Sequence, residues 1–179
     1  MPTKAIPIDD INYTPFKGSG DVESWIRQAC QAAGVPPNQA WMEGYKTLCK
    51  RESSDEPDAI NRTDINATGR IAQDGYPLNC SRGIAQCVPT TFAAFHADGT
   101  SVCIYDPVAN IAASMQYVRH HYSVSLDGSD LVARVQQADR KRPPHGYFLP
   151  QFRNALDASR PAIPRPVNTR PSYVDREVA

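Results

Sequence analysis

The sequence predicts a mainly α protein, an α+β fold in which helices dominate and a small irregular or β-rich region is set between them. Three observations predict this class. Apolar residues recur at helical spacing after Asp21, Asn38 and Asp106. Residues 55–83 are instead rich in proline, asparagine, aspartate and glycine. The 179 residues are 41% hydrophobic, which is enough for one core and therefore one domain.

Neither end of the chain shows a sustained period. Residues 1–20 contain several prolines and glycines and are expected to form an arm that wraps around the domain or frays. The domain itself is expected over residues 21–152, followed by a proline-rich, charged tail over residues 153–179. Because little of the core is expected to depend on either end, removing the tail after Ala162 should leave the protein intact.

Two amphipathic helices are expected first. The apolar series that starts at Val22 is opened by Asp21 as N-cap and closed by Gly34. In the second helix, capped by Asn38, an apolar stripe is continued by a carboxylate; its members are Trp41, Tyr45, Leu48 and Glu52.

The later elements are a small lobe around residues 58–86 and three further helices. One helix should begin at Pro89, and another should begin at Asp106-Pro107 and run to about Tyr122. In that helix Tyr117 points nearly opposite the face of Ile111 and Met115, so both of its sides should be covered. A short helix is expected over residues 129–139.

Composition excludes several classes of protein. Lysine plus arginine equal aspartate plus glutamate at 19 each, so nothing suggests a nucleic-acid partner or an anionic membrane surface. No apolar run is long enough to span a bilayer, and the first residues lack the apolar segment of a secretory signal. We expect a chain that does not insert into membranes and acts as a monomer.

The five cysteines are an odd number, so at least one cannot pair within the chain. Cys30 and Cys49 fall on helix stripes, where a reduced cysteine behaves as a small hydrophobe. Cys80, Cys87 and Cys103 lie in loop-rich sequence, where one disulfide among the three is an open alternative. No closely spaced cysteine or histidine pattern suggests a metal, and the segment Asp64-x-Asn66-x-x-Gly69 lacks the spaced acids of a calcium loop.

Glu52 is the strongest candidate for chemistry. Cleavage of a glycosidic bond needs an acid that stays protonated near neutral pH, and an apolar setting raises the pKa of a carboxyl group. The C-terminal end of a helix acts in the same direction, while Lys50 and Arg51 oppose it. An exposed glutamate paired with these neighbours is the alternative interpretation of the stripe.

The blocks around Glu52 resemble the soluble lytic transglycosylase family, which is similar to goose-type lysozymes and to glycoside hydrolase family 23. Five blocks occur in the family's order over about half of the chain. They are residues 52–54 (ESS), 57–61 (PDAIN), 81–86 (SRGIAQ), 89–92 (PTTF) and 105–118 (YDPVANIAASMQYV). The resemblance implies a two-lobed, lysozyme-like fold, cleavage of peptidoglycan glycan strands without a cofactor, and an actinobacterial or actinobacteriophage source.

The resemblance also implies roles for single residues. Glu52 would protonate the leaving oxygen and then act as base, and Ser53 would orient the glutamate or the substrate. Residues 83–86 match the family's Gly-Leu-Met-Gln, so Gly83 would permit a close turn, Ile84 would line the substrate side and Gln86 would hydrogen-bond sugar. Alanine stands here where the family has methionine.

Two tyrosines complete the implied site. Tyr117 resembles the tyrosine that hydrogen-bonds the catalytic carboxylate in the family. Members often carry an Ala-Tyr-Asn block further along the chain, and this sequence has none; the segment that ends at Tyr147 is the nearest candidate for covering that side.

The family manages with one carboxylate because the 6-hydroxyl of the muramic sugar attacks the anomeric carbon, leaving a 1,6-anhydro end. A second acid that positions water would give a lysozyme-type hydrolase, for which Asp64 and Asp74 are the candidates. A noncatalytic wall-binding module and a cysteine peptidase that pairs one of the loop cysteines with a histidine are the alternatives of other classes. Action on the cell wall without a signal segment would fit a phage lysis or virion protein, or a form lacking its export signal.

Overall fold

The computed structural model describes residues 3–63, 65 and 67–147, and within these ranges the chain is mainly helical. The helices are α1 (Val22–Ala33), α2 (Gln39–Ser53), α3 (Pro89–Ala94), α4 (Pro107–His121) and α5 (Leu131–Arg134), with 3-10 turns at Ile8–Asp10 and Gln136–Ala138. The predicted mainly α class is confirmed. The tail over residues 153–179 lies outside the described residues.

Local capping chemistry starts the three long helices where the sequence predicts. The side chains of Asp21, Asn38 and Asp106 each accept a hydrogen bond from a backbone N–H in the first turn, at 3.0, 3.2 and 2.9 Å. Gly34 closes α1 in the left-handed conformation, at φ +69°. These bonds satisfy N–H groups that the helices cannot pair internally.

Helix α4 is the central element of the core. Its residues from Ala109 to Val118 are all buried, so both sides of the helix are covered as predicted. Helices α1 and α3 pack against it, and α2 packs against α1. The stripe of α2 joins the same cluster, because Trp41, Tyr45 and Leu48 are fully buried.

The small lobe is irregular. Antiparallel contact between its segments consists of isolated bridges, Ile60 with Arg82, Ile71 with Pro77 and Arg82 with Cys87. Hydrogen bonds from Asn61 N–H to the Ser81 carbonyl and from Gly83 N–H to the Ala59 carbonyl, at 3.0 and 2.8 Å, join the two ends of the lobe. The chain is thereby brought back to the C-terminal end of α2.

The helix expected over residues 129–139 is wrong in extent. Helix α5 covers four residues, and Val135 interrupts it in an extended conformation before the 3-10 turn. The carbonyls of Gln136 and Gln137 accept hydrogen bonds from the Arg51 guanidinium, both at 3.3 Å, instead of continuing a helix. We call residues 135–147, which cover the end of α2, the strap.

The N-terminal arm wraps around the domain. The Ile6 N–H donates to the Ala93 carbonyl at 3.0 Å, and residues 12 and 103 form a parallel bridge. Ile11 and Tyr13 are 2% and 7% exposed in a second apolar cluster whose other members include Phe92, Ile104 and Tyr105. The expectation that the core depends little on this end is therefore wrong.

The disulfide considered among the three loop cysteines is not formed. Cys87 and Cys103 are thiols whose Sγ atoms donate to the carbonyls of Asn110 and Thr14, at 3.5 and 3.2 Å. Since Cys87 and Cys103 are both thiols, Cys80 has no disulfide partner among the loop cysteines. Cys30 and Cys49 are buried thiols on their helices, as predicted.

Candidate active site

Glu52 lies in the last turn of α2, where the apolar stripe reaches the small lobe. Its side chain is partly buried, and burial raises the pKa of the carboxyl group to about 7. A hydrogen bond from Gln137 opposes this shift. The group is therefore divided between its acid and its carboxylate near neutral pH, which suits a residue that must first give and then take a proton.

Gln137, in the strap, is the hydrogen-bond partner of Glu52. Its Nε2 donates to Glu52 Oε1 at 2.6 Å, and its own Oε1 accepts from the His145 N–H at 2.8 Å. Only 5% of Gln137 is exposed. Sequence reasoning missed this residue, because the pair is 85 positions apart and the predicted helix over residues 129–139 gave no reason to direct a glutamine at α2.

The strap is attached to α2 through the residue next to Glu52. Arg51 donates to the carbonyls of Gln136 and Gln137, and its Nη2 donates to the Arg142 carbonyl at 2.8 Å. The guanidinium that could have paired with Glu52 is thus directed to backbone oxygens. This arrangement leaves the pKa of Glu52 governed by burial and by Gln137.

Ser53 and Gly83 bring the turn 83–86 against the end of α2. The Ser53 hydroxyl donates to the Ile84 carbonyl at 2.8 Å. Gly83 has φ +83°, and a Cβ there would lie 2.4 Å from Asn110 Nδ2, so only glycine fits. Ile84 itself is fully buried in the main cluster.

The side chains of Gln86 and Asn110 fix this turn by hydrogen bonds to its backbone. Gln86 has φ +52°, and its Nε2 donates to the carbonyls of Gly83 and Ala59, at 2.9 and 3.2 Å. The Asn110 side chain accepts from the Ala85 N–H at 2.8 Å and donates to two further carbonyls. The amide nitrogen of Gln86 is therefore already used within the protein.

Tyr147 ends a directional chain of buried hydroxyls. Its hydroxyl donates to the Ala85 carbonyl at 2.6 Å, so it must accept from Ser114 Oγ at 2.7 Å. Ser114 Oγ in turn accepts from the Tyr45 hydroxyl at 2.9 Å. Burial chiefly, and several nearby groups including Glu52, raise the pKa of Tyr147 far above its ordinary value, so the phenol stays neutral.

Tyr117, on α4, is fully buried within a group of aromatic side chains. Its ring is stacked on His121 at 5.2 Å between centroids and meets Phe95 and Tyr147 edge to face at 5.5 and 6.3 Å. The family resemblance implies a hydrogen bond from Tyr117 to Glu52. The structure shows a hydrogen bond to Glu52 from Gln137.

Asp64 and Asp74 are the two candidate second acids. Asp64 lies outside the described residues. Asp74 is paired with fully buried Arg82 through two bonds of 2.7 and 3.0 Å and accepts from the Tyr105 hydroxyl at 2.7 Å. Burial works to raise the pKa of Asp74, but these hydrogen bonds outweigh it, and the pKa is lowered.

Other chemistries find little support in the part of the chain that the structure covers. Burial raises the pKa of the Cys87 thiol far above its ordinary value, the opposite of an activated nucleophile. Among the described residues, no group of three or more histidine, cysteine, aspartate or glutamate side chains could hold a metal ion. Nor is any helix within those ranges long and apolar enough to cross a membrane.

Comparison with known proteins identifies a family and a relative that this chain resembles. The family model described as "Transglycosylase SLT domain" matches residues 24–135, which include most of α1 and all of α2, the small lobe, α3, α4 and α5. A relative in Bacillus subtilis (strain 168), "Uncharacterized protein YqbO", is 35% identical over 104 residues. The match covers 58% of this chain but 6% of that protein. No solved structure shows significant similarity.

Proposed function

The chain belongs to the transglycosylase SLT domain family, and on this premise we propose that it cleaves the glycan strands of peptidoglycan. The bond is that between N-acetylmuramic acid and N-acetylglucosamine, with Glu52 as single general acid and base. The observation that carries the proposal is the partly buried Glu52 carboxyl, whose pKa is raised to about 7. Action at the bacterial cell wall is part of the same proposal.

The reaction needs one carboxyl group in two protonation states. Protonated Glu52 gives its proton to the glycosidic oxygen as the bond from that oxygen to the anomeric carbon breaks. The carboxylate then takes the proton of the muramic 6-hydroxyl as its oxygen bonds to the anomeric carbon. The product is a 1,6-anhydromuramic end, Glu52 is protonated again, and no water is consumed.

The surroundings of Asp74 support the single-carboxylate route. A base that positions water must accept a proton, but the oxygens of Asp74 are engaged by Arg82 and Tyr105, and its pKa is lowered. The lysozyme-type hydrolase that uses Asp64 or Asp74 is the competing function, and a noncatalytic wall-binding module is a third. The products of digestion and the effect of replacing Glu52 separate the three.

We assign the remaining predicted positions to holding and forming the substrate side of the site. Ser53 and Tyr147 contact the carbonyls of Ile84 and Ala85, so they fix the turn that would meet the sugar. In this proposal Gly83 lets the backbone approach the glycan closely, and Gln86 and Tyr117 shape the wall behind it.

The products of digestion test the reaction type. Purified peptidoglycan digested with the protein is expected to release muropeptides with anhydro ends, one water lighter than hydrolysis products by mass spectrometry. Borohydride reduction distinguishes the two further, because only hydrolysis creates new reducible ends. Reducible ends as the main product would replace the transglycosylase by the hydrolase, and binding without any product would leave the wall-binding module.

Substitution of the acid tests the assignment of Glu52. Glu52→Gln keeps the size of the side chain but cannot donate the proton, so wall cleavage should fall by about ten-thousand-fold or more, since the same group is also the base. Glu43→Gln, an exposed glutamate on the same helix, is the matched control and should cleave at the parent rate. Near-parent activity of Glu52→Gln would refute the assignment.

A further inference from the structure

We propose that Gln137 is a positioning residue that decides which oxygen of the Glu52 carboxyl carries the catalytic proton. The inference rests on the proposed role of Glu52 and deepens it. Its basis is a pair of hydrogen bonds in sequence, from the His145 N–H to Gln137 Oε1 and from Gln137 Nε2 to Glu52 Oε1.

The backbone fixes the orientation of the Gln137 amide. A main-chain N–H can only donate, so the group that meets His145 must be the amide oxygen. The amide nitrogen is therefore the group that faces Glu52, at 2.6 Å. Rotation of the amide by half a turn would break both bonds and bring two acceptors together at Glu52 and two donors together at His145.

The strap that carries Gln137 is itself held in place. Arg51 binds the carbonyls of Gln136, Gln137 and Arg142, which lie before and after the amide group. With 5% of the residue exposed, solvent does not compete for the side chain. Arg51 on α2 thus binds the strap, and Gln137 in the strap binds Glu52 on α2, so the two segments are joined from both sides.

A fixed donor at one oxygen assigns the proton to the other. While Gln137 donates to Oε1, that oxygen acts as the carbonyl of the protonated acid, and the proton resides on Oε2. Oε2 is the oxygen that Gln137 does not contact, and in this proposal it is the oxygen that delivers the proton to the substrate. After proton transfer, the same bond stabilises the carboxylate until it takes a proton back.

Three ionisable groups that interact with the Glu52 charge stay neutral in the working range, and the charged Arg51 guanidinium is bound to backbone carbonyls of the strap. The three are Cys49 on α2, Cys87 after the turn and Tyr147 in the strap, and burial raises the pKa of each well above its ordinary value. His145 lies in the strap as well, but its backbone N–H makes the contact to Gln137, and its ring bonds to the Gly146 carbonyl. A His145→Gln background keeps the backbone N–H and removes the imidazole from the experiment.

Gln137→Met tests the proposal, because methionine keeps the volume and removes the donor. Without the bond to the carboxylate, the pKa of Glu52 should rise by roughly one unit. The high-pH limb of wall cleavage should move upward by the same amount, with a loss of about tenfold at the optimum. If the substitution only loosened the site, water would enter, the effect of burial on Glu52 would weaken, and the pKa of Glu52 would fall instead of rising.

The control is Gln136→Met, the same change one position earlier, where the side chain reaches the Pro143 carbonyl instead of the acid. In Gln136→Met the pKa of Glu52 should equal that of the parent protein. A downward shift, or no shift, in Gln137→Met would overturn the proposal. If Gln137→Met does not fold, Gln137→Glu decides: two carboxyls sharing one proton should titrate in two separated steps, and a single unshifted step refutes the inference.

Carbon-13 NMR titration of the Glu52 carboxyl, assigned by its disappearance in Glu52→Gln, makes the result independent of enzymatic activity. If the parent protein does not cleave peptidoglycan, the proposed function fails. The titration still shows whether Gln137 acts on the Glu52 proton.

Discussion

At the scale of single residues, two partly buried carboxyl groups illustrate how partners decide protonation. Burial acts to raise the pKa of both Glu52 and Asp74, but their hydrogen-bond partners differ. The hydrogen-bond donor that Glu52 meets is the neutral amide of Gln137, and the net shift of its pKa is upward. Asp74 meets the Arg82 guanidinium and the Tyr105 hydroxyl, and the net shift is downward. The partners of a carboxyl group thus decide whether ionisation is disfavoured, as at Glu52, or favoured, as at Asp74.

The raised pKa of Glu52 predicts a pH-dependent stability difference between the parent and Glu52→Gln. A group whose pKa rises on folding, here from 4.5 to about 7, stabilises the fold fully below its unfolded value and loses that contribution as the pH rises through the folded value. Glutamine does not titrate. The variant should therefore gain stability relative to the parent between about pH 4.5 and pH 8, by about 3 kcal/mol.

Urea unfolding of the two proteins at pH 5 and at pH 8 measures this difference, and the subtraction cancels the groups that they share. A difference that is the same at both values would contradict the burial of a Glu52 carboxyl that ionises near neutral pH.

For Asp74 we predict a structural role. Asp74→Asn leaves the Arg82 guanidinium, whose side chain is 0% exposed, without its anion, and unfolding should become easier by about 3 kcal/mol or more. Thermal denaturation measures the loss. Asp9→Asn removes the partner of Arg70 in an exposed pair and should cost less than about 1 kcal/mol. A stable Asp74→Asn protein that no longer cleaves peptidoglycan would revive the second-acid hypothesis.

At the scale of elements, the parts that could be predicted are those determined by neighbouring residues. A cap and the period after it define the starts of α1, α2 and α4, since both signals lie within a few positions. The break at Val135 could not be predicted, because Arg51, which binds the carbonyls beyond it, lies 85 positions from the first of them. Gln137 was missed for the same reason, whereas Glu52 was found because the stripe on its own helix is followed by the ordered blocks that resemble the family.

The turn 83–86 gives a prediction at the same scale, on the cost of a methyl group. Gly83→Ala places a Cβ 2.4 Å from Asn110 Nδ2 and 2.8 Å from the Ile104 carbonyl oxygen, in addition to the strain of a positive φ. Gly75 has the same φ of +83°, but a methyl group there would meet no atom within 4 Å, so Gly75→Ala isolates that strain. We expect about 1 kcal/mol for Gly75→Ala and about 3 kcal/mol or more for Gly83→Ala.

Chemical denaturation of the two alanine variants checks the comparison. Equal losses would mean that the turn adjusts to the methyl group and that close packing on Asn110 does not dictate glycine there.

At the scale of the whole molecule, two apolar clusters meet along α4. The main cluster joins α1, α2 and α4, and the second joins the arm, α3 and the small lobe. The arm supplies Ile11 and Tyr13 to the second cluster, and the Tyr13 ring also lies 5.0 Å from the Arg82 guanidinium carbon. The arm is thereby linked to the residue that anchors Asp74 and the irregular lobe.

The two ends of the chain should contribute differently to stability. Ile11 is 2% exposed, and Ile11→Ala should cost about 2 to 4 kcal/mol through lost burial and the cavity left behind. The control in the same arm is Lys4→Ala. The Lys4 side chain is 71% exposed, so the free energy of unfolding should stay within about 1 kcal/mol of the parent.

Removal of residues 3–20 should lower the melting temperature further than Ile11→Ala, because the whole face of the second cluster is uncovered. Removal of the residues after Ala162 is expected to leave melting and wall cleavage unchanged, on the composition of that segment alone. Differential scanning calorimetry of the four proteins measures all of these effects on melting, and an arm deletion that melts like the parent would show that the second cluster is stable without the arm.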